Sequence, residues 1–209
     1  MPMAARPFVA TRLWAATTVR VMDDRAFYEL EDEPLAARQV EFLAALRQRL
    51  GDGLRPYCGE FSEDTLLLVL DVDAPDVALV SVGLLLRGDE LQGDRISIHD
   101  RTFPPAPTRD GFVAKGSPGE LAHRGGALFE YFASRPVVRH EWLHRGKVYA
   151  TCYLFEDSGE RLSQMYRSDW APRGQEARLV AEGFVHGKGW IQTQGLGDPQ
   201  RVVRVRGSQ

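Results

Sequence analysis

The chain has 209 residues, of which 44% are hydrophobic and 26% charged, and its formal net charge is −3. This composition predicts one compact soluble domain, 1–209. No apolar run reaches the roughly 18 residues of a membrane-spanning helix, so we expect a cytoplasmic protein with no membrane partner. The two cysteines, Cys58 and Cys152, form no CxxC pair, which argues against a disulfide framework and against a cysteine zinc site.

The charges are distributed unevenly along the chain. Residues 23–100 contain 18 Asp and Glu against 7 Lys and Arg, whereas residues 135–209 contain 8 against 12. Such asymmetry is typical of a polyanion-binding face or of assembly surfaces, although two differently solvated faces explain it equally well. It suggests a possible subdivision into an acidic α+β half, 1–100, and a basic helix-plus-meander half, 117–209. A proline-bearing loop, 101–116, would join them.

In the first half, a helix is predicted over residues 34–50. Pro34 suits a first helical position, an apolar stripe follows, and Gly51 offers a left-handed stop. Residues 65–72 and 76–87 are continuous apolar runs typical of buried strands. A turn over residues 88–94 would lead into a third strand, 95–99.

In the second half, Ser117 and Glu120 have the spacing of a capping box, which predicts a helix ending near Ser134. Beyond Pro136, residues 137–144 and 148–155 predict a hairpin that turns at Arg145-Gly146, and a third strand is expected over 161–167. A short helix over 175–182 and strands over 184–193 and 202–205 complete the pattern. The predicted fold is α+β, with a mixed or antiparallel sheet, two main helices and a C-terminal antiparallel meander.

The pentapeptide His140-Glu141-Trp142-Leu143-His144 has the H-E-x-x-H spacing of zinc hydrolases. On a helix, His140 and His144 would bind zinc and Glu141 would act as general base, with Glu156, Glu160 or Glu176 as a third ligand. On a strand, the two histidines would lie roughly 13 Å apart along the chain and could not share one ion. Because Pro136 and Gly146 leave little room for a helix, we favour the strand and expect no cofactor, with zinc as the alternative.

Aromatic and titratable residues of the second half indicate a binding surface. Trp142 lies on the predicted hairpin near Tyr149 and Tyr153, and the glycine-rich segment 183–197 combines His186, Lys188 and Trp190. The sequence leaves open whether His99, His140 and His186 share a pocket. His99-Asp100 by itself is better explained as the end of a strand than as an acid/base pair.

No serine-hydrolase motif and no nucleotide-binding loop is present in the sequence. The leading hypothesis is therefore a non-catalytic intracellular binding or assembly protein, which binds another protein through the aromatic and basic surface of its C-terminal half. Two alternatives remain open. One is a zinc-dependent hydrolase using residues 140–144, and the other is an RNA- or DNA-binding accessory domain whose arginines converge on one face.

Overall fold

The computed structural model describes residues 34–74, 77–97, 99–187 and 189–207. These residues form three α-helices and antiparallel sheets with eleven strands in all, which confirms the predicted α+β class. Within this part of the chain, no helix is both long enough and apolar enough to cross a membrane.

The first sheet is a simple meander in which each strand pairs with the next along the chain. Its strands are β1 (Tyr57–Phe61), β2 (Thr65–Ala74), β3 (Val77–Arg87), β4 (Glu90–Ile96) and β5 (Phe112–Lys115). Because side chains alternate along a strand, Leu66 and Leu68 of β2 enter the main core, whereas Leu67 and Val69 pack with Ile96 in a smaller cluster.

Two helices, α1 (Ala37–Leu50) and α2 (Pro118–Ser134), contribute to the main core and pack against each other. The predicted capping box holds α2 in place, since the Ser117 hydroxyl accepts from the Glu120 backbone N–H and Glu120 accepts from the Ser117 N–H. Gly125 allows a close approach to β3, because a Cβ there would lie 2.7 Å from Leu84 Cδ1. The glycine therefore brings helix and sheet into contact.

The second sheet has the strand order β11-β6-β7-β8. Its strands are β6 (Val137–His144), β7 (Lys147–Phe155), β8 (Arg161–Tyr166) and β11 (Arg201–Arg206). Between β8 and β11 lie α3 (Gln175–Ala181), the two-stranded hairpin β9 (Val185–His186) and β10 (Trp190–Ile191), and a 3-10 helix (Thr193–Leu196). Val137 and Phe155 belong to the main core, so both sheets contribute to one buried cluster.

Several predicted boundaries were wrong. The first helix begins at Ala37 rather than Pro34, where the Gln39 side chain accepts a hydrogen bond from the Ala36 N–H. Strand β4 begins at Glu90, so the predicted turn is far shorter than 88–94. Loop 101–116 contains strand β5, and the predicted strand 184–193 is instead the β9–β10 hairpin. Strand β1 was not predicted, and the single domain and its subdivision stay predictions.

Candidate binding surface

The motif at residues 140–144 lies on strand β6, as the hairpin prediction required, so the helix on which the zinc-hydrolase alternative depends does not form there. His140 and Glu141 are neighbours on a strand, so their side chains point to opposite faces of the sheet. Within the ranges that the structure describes, no three His, Cys, Asp or Glu side chains are placed to hold a metal ion. The motif therefore lacks the geometry of a zinc hydrolase in this fold.

The Glu141 carboxylate is buried and fully engaged by two arginines. Its side chain is 2% exposed, and Oε1 accepts a hydrogen bond from Arg139 Nε at 2.7 Å. Oε2 forms a salt bridge with Arg201 on the neighbouring strand β11. A carboxylate held in this way is a structural acceptor rather than a base in contact with water.

The ring of His140 lies 6.3 Å from the ring of Trp142, centroid to centroid. Burial lowers the pKa of His140, and the charge of Arg161 lowers it further. Neither of the two cavities described below has His99, His140 or His186 among its described lining residues.

Two of the predicted binding residues, Trp142 and Tyr149, are buried in a second hydrophobic cluster. The Trp142 Nε1–H donates to the Gly197 carbonyl oxygen at 3.2 Å, and the Tyr149 hydroxyl accepts from Gln175 Nε2 at 3.1 Å. These rings are covered because residues after β8 fold back over this face of the sheet. Their polar atoms bind the chain itself, so neither side chain is open to a partner.

Tyr153 is half-buried and packs against the main core. Arg139 Nη1 lies 3.4 Å from its hydroxyl oxygen and donates to it. This contact places Tyr153 with Arg139 and Glu141 rather than with the buried Trp142. The aromatic residues predicted as one surface are therefore divided between separate environments.

The remaining predicted residues lie on the β9–β10 hairpin. Trp190 and His186 are direct cross-strand partners, and Trp190 is 72% exposed. The inward positions of the hairpin are Val185 and Ile191, of which Ile191 is buried. Lys188 lies outside the described residues. The sequence signal at Trp190, an aromatic residue in a glycine-rich segment, thus marks the most exposed of the large apolar side chains in this part of the chain.

Side-chain amides of Gln175 and Gln164 form hydrogen bonds that hold the segment around the hairpin against the second sheet. Gln175, the first residue of α3, donates to Tyr149 and lies 3.5 Å from the Tyr166 hydroxyl, while the two tyrosine rings meet edge to face at 5.9 Å. The Gln164 Oε1 accepts from both the backbone N–H and the hydroxyl of Thr193, each at 3.0 Å. These bonds fix the segment from α3 to the 3-10 helix against the sheet.

A cavity of about 290 Å³ lies between this hairpin and β8. Its lining residues are Gln164, Met165, Tyr166, Ser168, Glu176, Gly189, Trp190 and Ile191. Met165 is 39% exposed, and Glu176 is the one charged residue among the lining residues that the structure describes. Burial, and secondly the charge of Glu176, raise the pKa of the Tyr166 hydroxyl, so this ring stays neutral at ordinary pH. Sequence reasoning missed Met165, because a single methionine in a short strand carries no signal.

Strand β8 forms one edge of the second sheet and pairs only with β7 within the described residues. Its single charged residue is Arg161 at the start of the strand. The opposite edge, β11, carries three arginines, and charges of this kind discourage pairing with another chain. The two edges therefore differ, and β8 is the one suited to accept an added strand.

Several basic residues of the second half are paired with carboxylates. Arg135 binds Asp157, Arg178 binds Glu182 and Arg204 binds Glu156. Lys147 and Arg167 lie over the ring of Trp170, at 5.5 Å and 4.4 Å from its centroid. Convergence on one phosphate-binding face, which the nucleic-acid alternative requires, is not evident in this arrangement.

Comparison with family models, with curated proteins and with solved structures gave no match.

Proposed function

We propose that the chain is a non-catalytic, cytoplasmic binding protein that acts in assembly through a hairpin surface. This hairpin surface consists of His186 and Trp190, Met165 and the cavity beside them, and the outer edge of β8. The observation that carries the proposal is the 72% exposure of Trp190 on a rigidly supported hairpin above a cavity.

The energetics of interfaces favour this choice. Tryptophan is among the residues that dominate the binding energy of an interface. While no partner covers it, a large exposed ring keeps apolar surface in contact with water, which is unfavourable. Met165 adds a flexible apolar side chain, which adapts to the shape of a partner. The rigid base beneath the hairpin reduces the entropy lost on binding.

The partner is a protein that offers an extended segment. Such a segment can add as a strand to the edge of β8 that pairs with no other strand of the described residues, so that main-chain hydrogen bonds give affinity and the cavity selects a side chain. Glu176, the one charged residue among the described lining residues, favours a partner side chain that is basic. The expected ligand is therefore a strand-forming peptide with apolar and basic residues.

Selection from a displayed library of random peptides tests this proposal directly. The full chain is the bait, and peptides that also bind a Trp190→Ala variant are removed. Enriched peptides are then measured by fluorescence polarisation. Trp190→Ala should weaken their binding about 30-fold or more, which corresponds to about 2 kcal/mol. Glu176→Arg should weaken the basic peptides selectively.

Matched controls separate this surface from general effects. Val113 is also exposed, at 47%, but lies on β5, so Val113→Ala should leave peptide affinity unchanged. Glu63→Arg, at an exposed site away from the cavity lining, controls for Glu176→Arg. The proposal is wrong if no peptide is enriched, or if enriched peptides bind Trp190→Ala as tightly as the unmodified chain.

A further inference from the structure

A second cleft lies where the two sheets meet, away from the hairpin surface. Its volume is about 470 Å³, and its walls are a turn over residues 108–111, the end of α2 and a turn over residues 156–160. Arg95, Arg109, Tyr131, Arg135 and Glu160 all line it. We call it the inter-sheet cleft.

One wall is fixed by a buried carboxylate. Asp94 is 1% exposed and accepts hydrogen bonds from the Thr108 N–H at 2.7 Å, the Thr108 hydroxyl at 2.6 Å and the Arg95 N–H at 2.7 Å. A Cβ on Gly111 would lie 2.1 Å from Asp94 Oδ2, so the turn closes on Asp94 only with glycine at this position. The turn therefore holds Arg109 at the rim of the cleft in a defined place.

The opposite wall contains Arg135, whose side chain is 6% exposed and lies 3.6 Å from the Phe155 ring centroid. Its Nε and Nη2 donate to Asp157, and Nη2 also donates to Ser158. Its Nη1 has no hydrogen-bond partner within the described residues. The nearest carboxylate oxygen, Glu160 Oε2, is 3.5 Å away and already accepts from Arg95 Nη2 at 2.8 Å. Nη1 thus has a long salt-bridge contact with Glu160 but no hydrogen bond within the described residues.

Of the three arginines that line the cleft, two form salt bridges with its carboxylates. Arg95 is paired with Glu160 and Asp110, and Arg135 is paired with Asp157 and Glu160. Arg109 is exposed and forms no salt bridge with a carboxylate of the described residues. Tyr131, 44% exposed, presents an aromatic ring beside Arg135, whose Cζ lies 5.2 Å from the ring centroid. The cleft thus combines an arginine without a salt bridge among the described residues, a guanidinium nitrogen without a hydrogen bond there, and an exposed aromatic ring.

We propose that the inter-sheet cleft binds a small molecule that carries a phosphate or carboxylate group and a planar ring. The anionic group pairs with Arg109 on the side of the cleft that the Arg135 guanidinium also lines, while the ring lies against Tyr131. Cavities of this volume accommodate ligands of nucleotide size. This site is independent of the hairpin surface, and its occupation by a ligand does not depend on a protein partner.

Titration of the isotope-labelled full chain, followed by NMR, tests the proposal with three probes: adenosine monophosphate, inorganic phosphate and benzoate. Signals from the arginine Nε–H groups and from the backbone amides of residues 108–111 should shift with added probe. For every probe that binds the unmodified chain, Arg109→Ala should weaken the affinity at least tenfold. Tyr131→Leu should weaken the ring-bearing probes and leave inorganic phosphate unaffected. Binding of adenosine monophosphate without benzoate indicates a phosphate ligand, and binding of benzoate indicates a carboxylate.

The matched control is Arg173→Ala, which removes the same charge from an exposed loop position outside the cleft lining. Its affinities should equal those of the unmodified chain. Three results would overturn the proposal. One is that no probe shifts any signal at millimolar concentration, the range of the weakest specific affinities. The others are that Arg109→Ala and Arg173→Ala weaken binding equally, or that the shifts are confined to residues outside the cleft.

Discussion

Glu141 and Arg201 are direct cross-strand partners on β6 and β11, and their side chains form a salt bridge. The carboxylate is 2% exposed, whereas Arg201 is 53% exposed and Arg139, its second partner, is 28% exposed. A buried charge is tolerated here because two cations reach it from the solvent side. The pair therefore ties strand β11, near the end of the chain, to the central hairpin.

Replacing Glu141 by glutamine should lower the free energy of unfolding by about 2 kcal/mol. The variant keeps the shape of the side chain but removes the charge that two arginines bind, and the arginines recover part of their hydration. Urea denaturation gives the value. Glu182→Gln, which removes an exposed helical pair with Arg178, should cost less than about 0.5 kcal/mol. Equal losses in the two variants would contradict the structural role assigned to Glu141.

The placement of His140 and His144 on a strand predicts that they do not share a zinc ion. Elemental mass spectrometry of the purified, untagged chain and of a His140→Ala/His144→Ala variant measures this. Zinc content should be the same in both proteins, since four residues of strand span about 13 Å. One zinc per chain that is lost in the double variant would instead establish the metal site and make hydrolysis the next assay.

Local signals in the sequence account for much of the fold. The Ser117 capping box, the apolar stripes of the helices and the Pro136 and Gly146 boundaries all act within a few residues. Strand β4 was misplaced because Gly93 and Asp94 are typical turn residues. In the structure a Cβ on Gly93 would lie 2.6 Å from Phe112, and Asp94 is a buried acceptor. Both residues serve contacts distant in sequence, which no local pattern reveals.

The candidate sites were harder to predict for the same reason. In the sequence, Trp142 and Trp190 are equally plausible binding residues. In the structure, Trp142 is 4% exposed and Trp190 is 72% exposed. The difference arises because the segment after β8 covers one face of the sheet. The inter-sheet cleft depends on pairs such as Arg95 with Glu160, 65 residues apart. Burial and long-range pairing therefore decided which predicted residues are open to a ligand.

The turn that closes on Asp94 predicts opposite effects for two glycine-to-alanine changes. Gly111→Ala should destabilise the chain by about 2 kcal/mol, because the added Cβ overlaps the Asp94 carboxylate. Gly119→Ala, in the first turn of α2, meets no atom within 4 Å and should stabilise it by up to about 1 kcal/mol. Thermal unfolding of both variants measures the difference. A Gly111→Ala variant as stable as the unmodified chain would show that the turn does not close tightly on Asp94.

The ion pairs of the inter-sheet cleft predict a dependence of stability on pH. Hydrogen bonds from Arg95 lower the pKa of Glu160 most; burial opposes this, and the charges of Arg95 and Arg135 lower the pKa further, so that it lies below that of an ordinary carboxyl group. Because the folded pKa is lower than the unfolded one, the contribution is present above the ordinary carboxyl pKa and is lost as pH falls through the folded pKa. Acidification should therefore remove the stabilisation provided by Glu160.

The variant Glu160→Gln should be destabilised by about 1 kcal/mol at pH 7, a modest value because Glu160 is 39% exposed. At pH 3, below the ordinary carboxyl pKa, the unfolded state already binds the proton, so the difference from the unmodified chain should shrink. Urea denaturation at both pH values measures it, with Glu63→Gln as the control at an exposed site. A difference that is unchanged between pH 7 and pH 3 would mean that Glu160 stabilises the fold through its shape rather than through its charge.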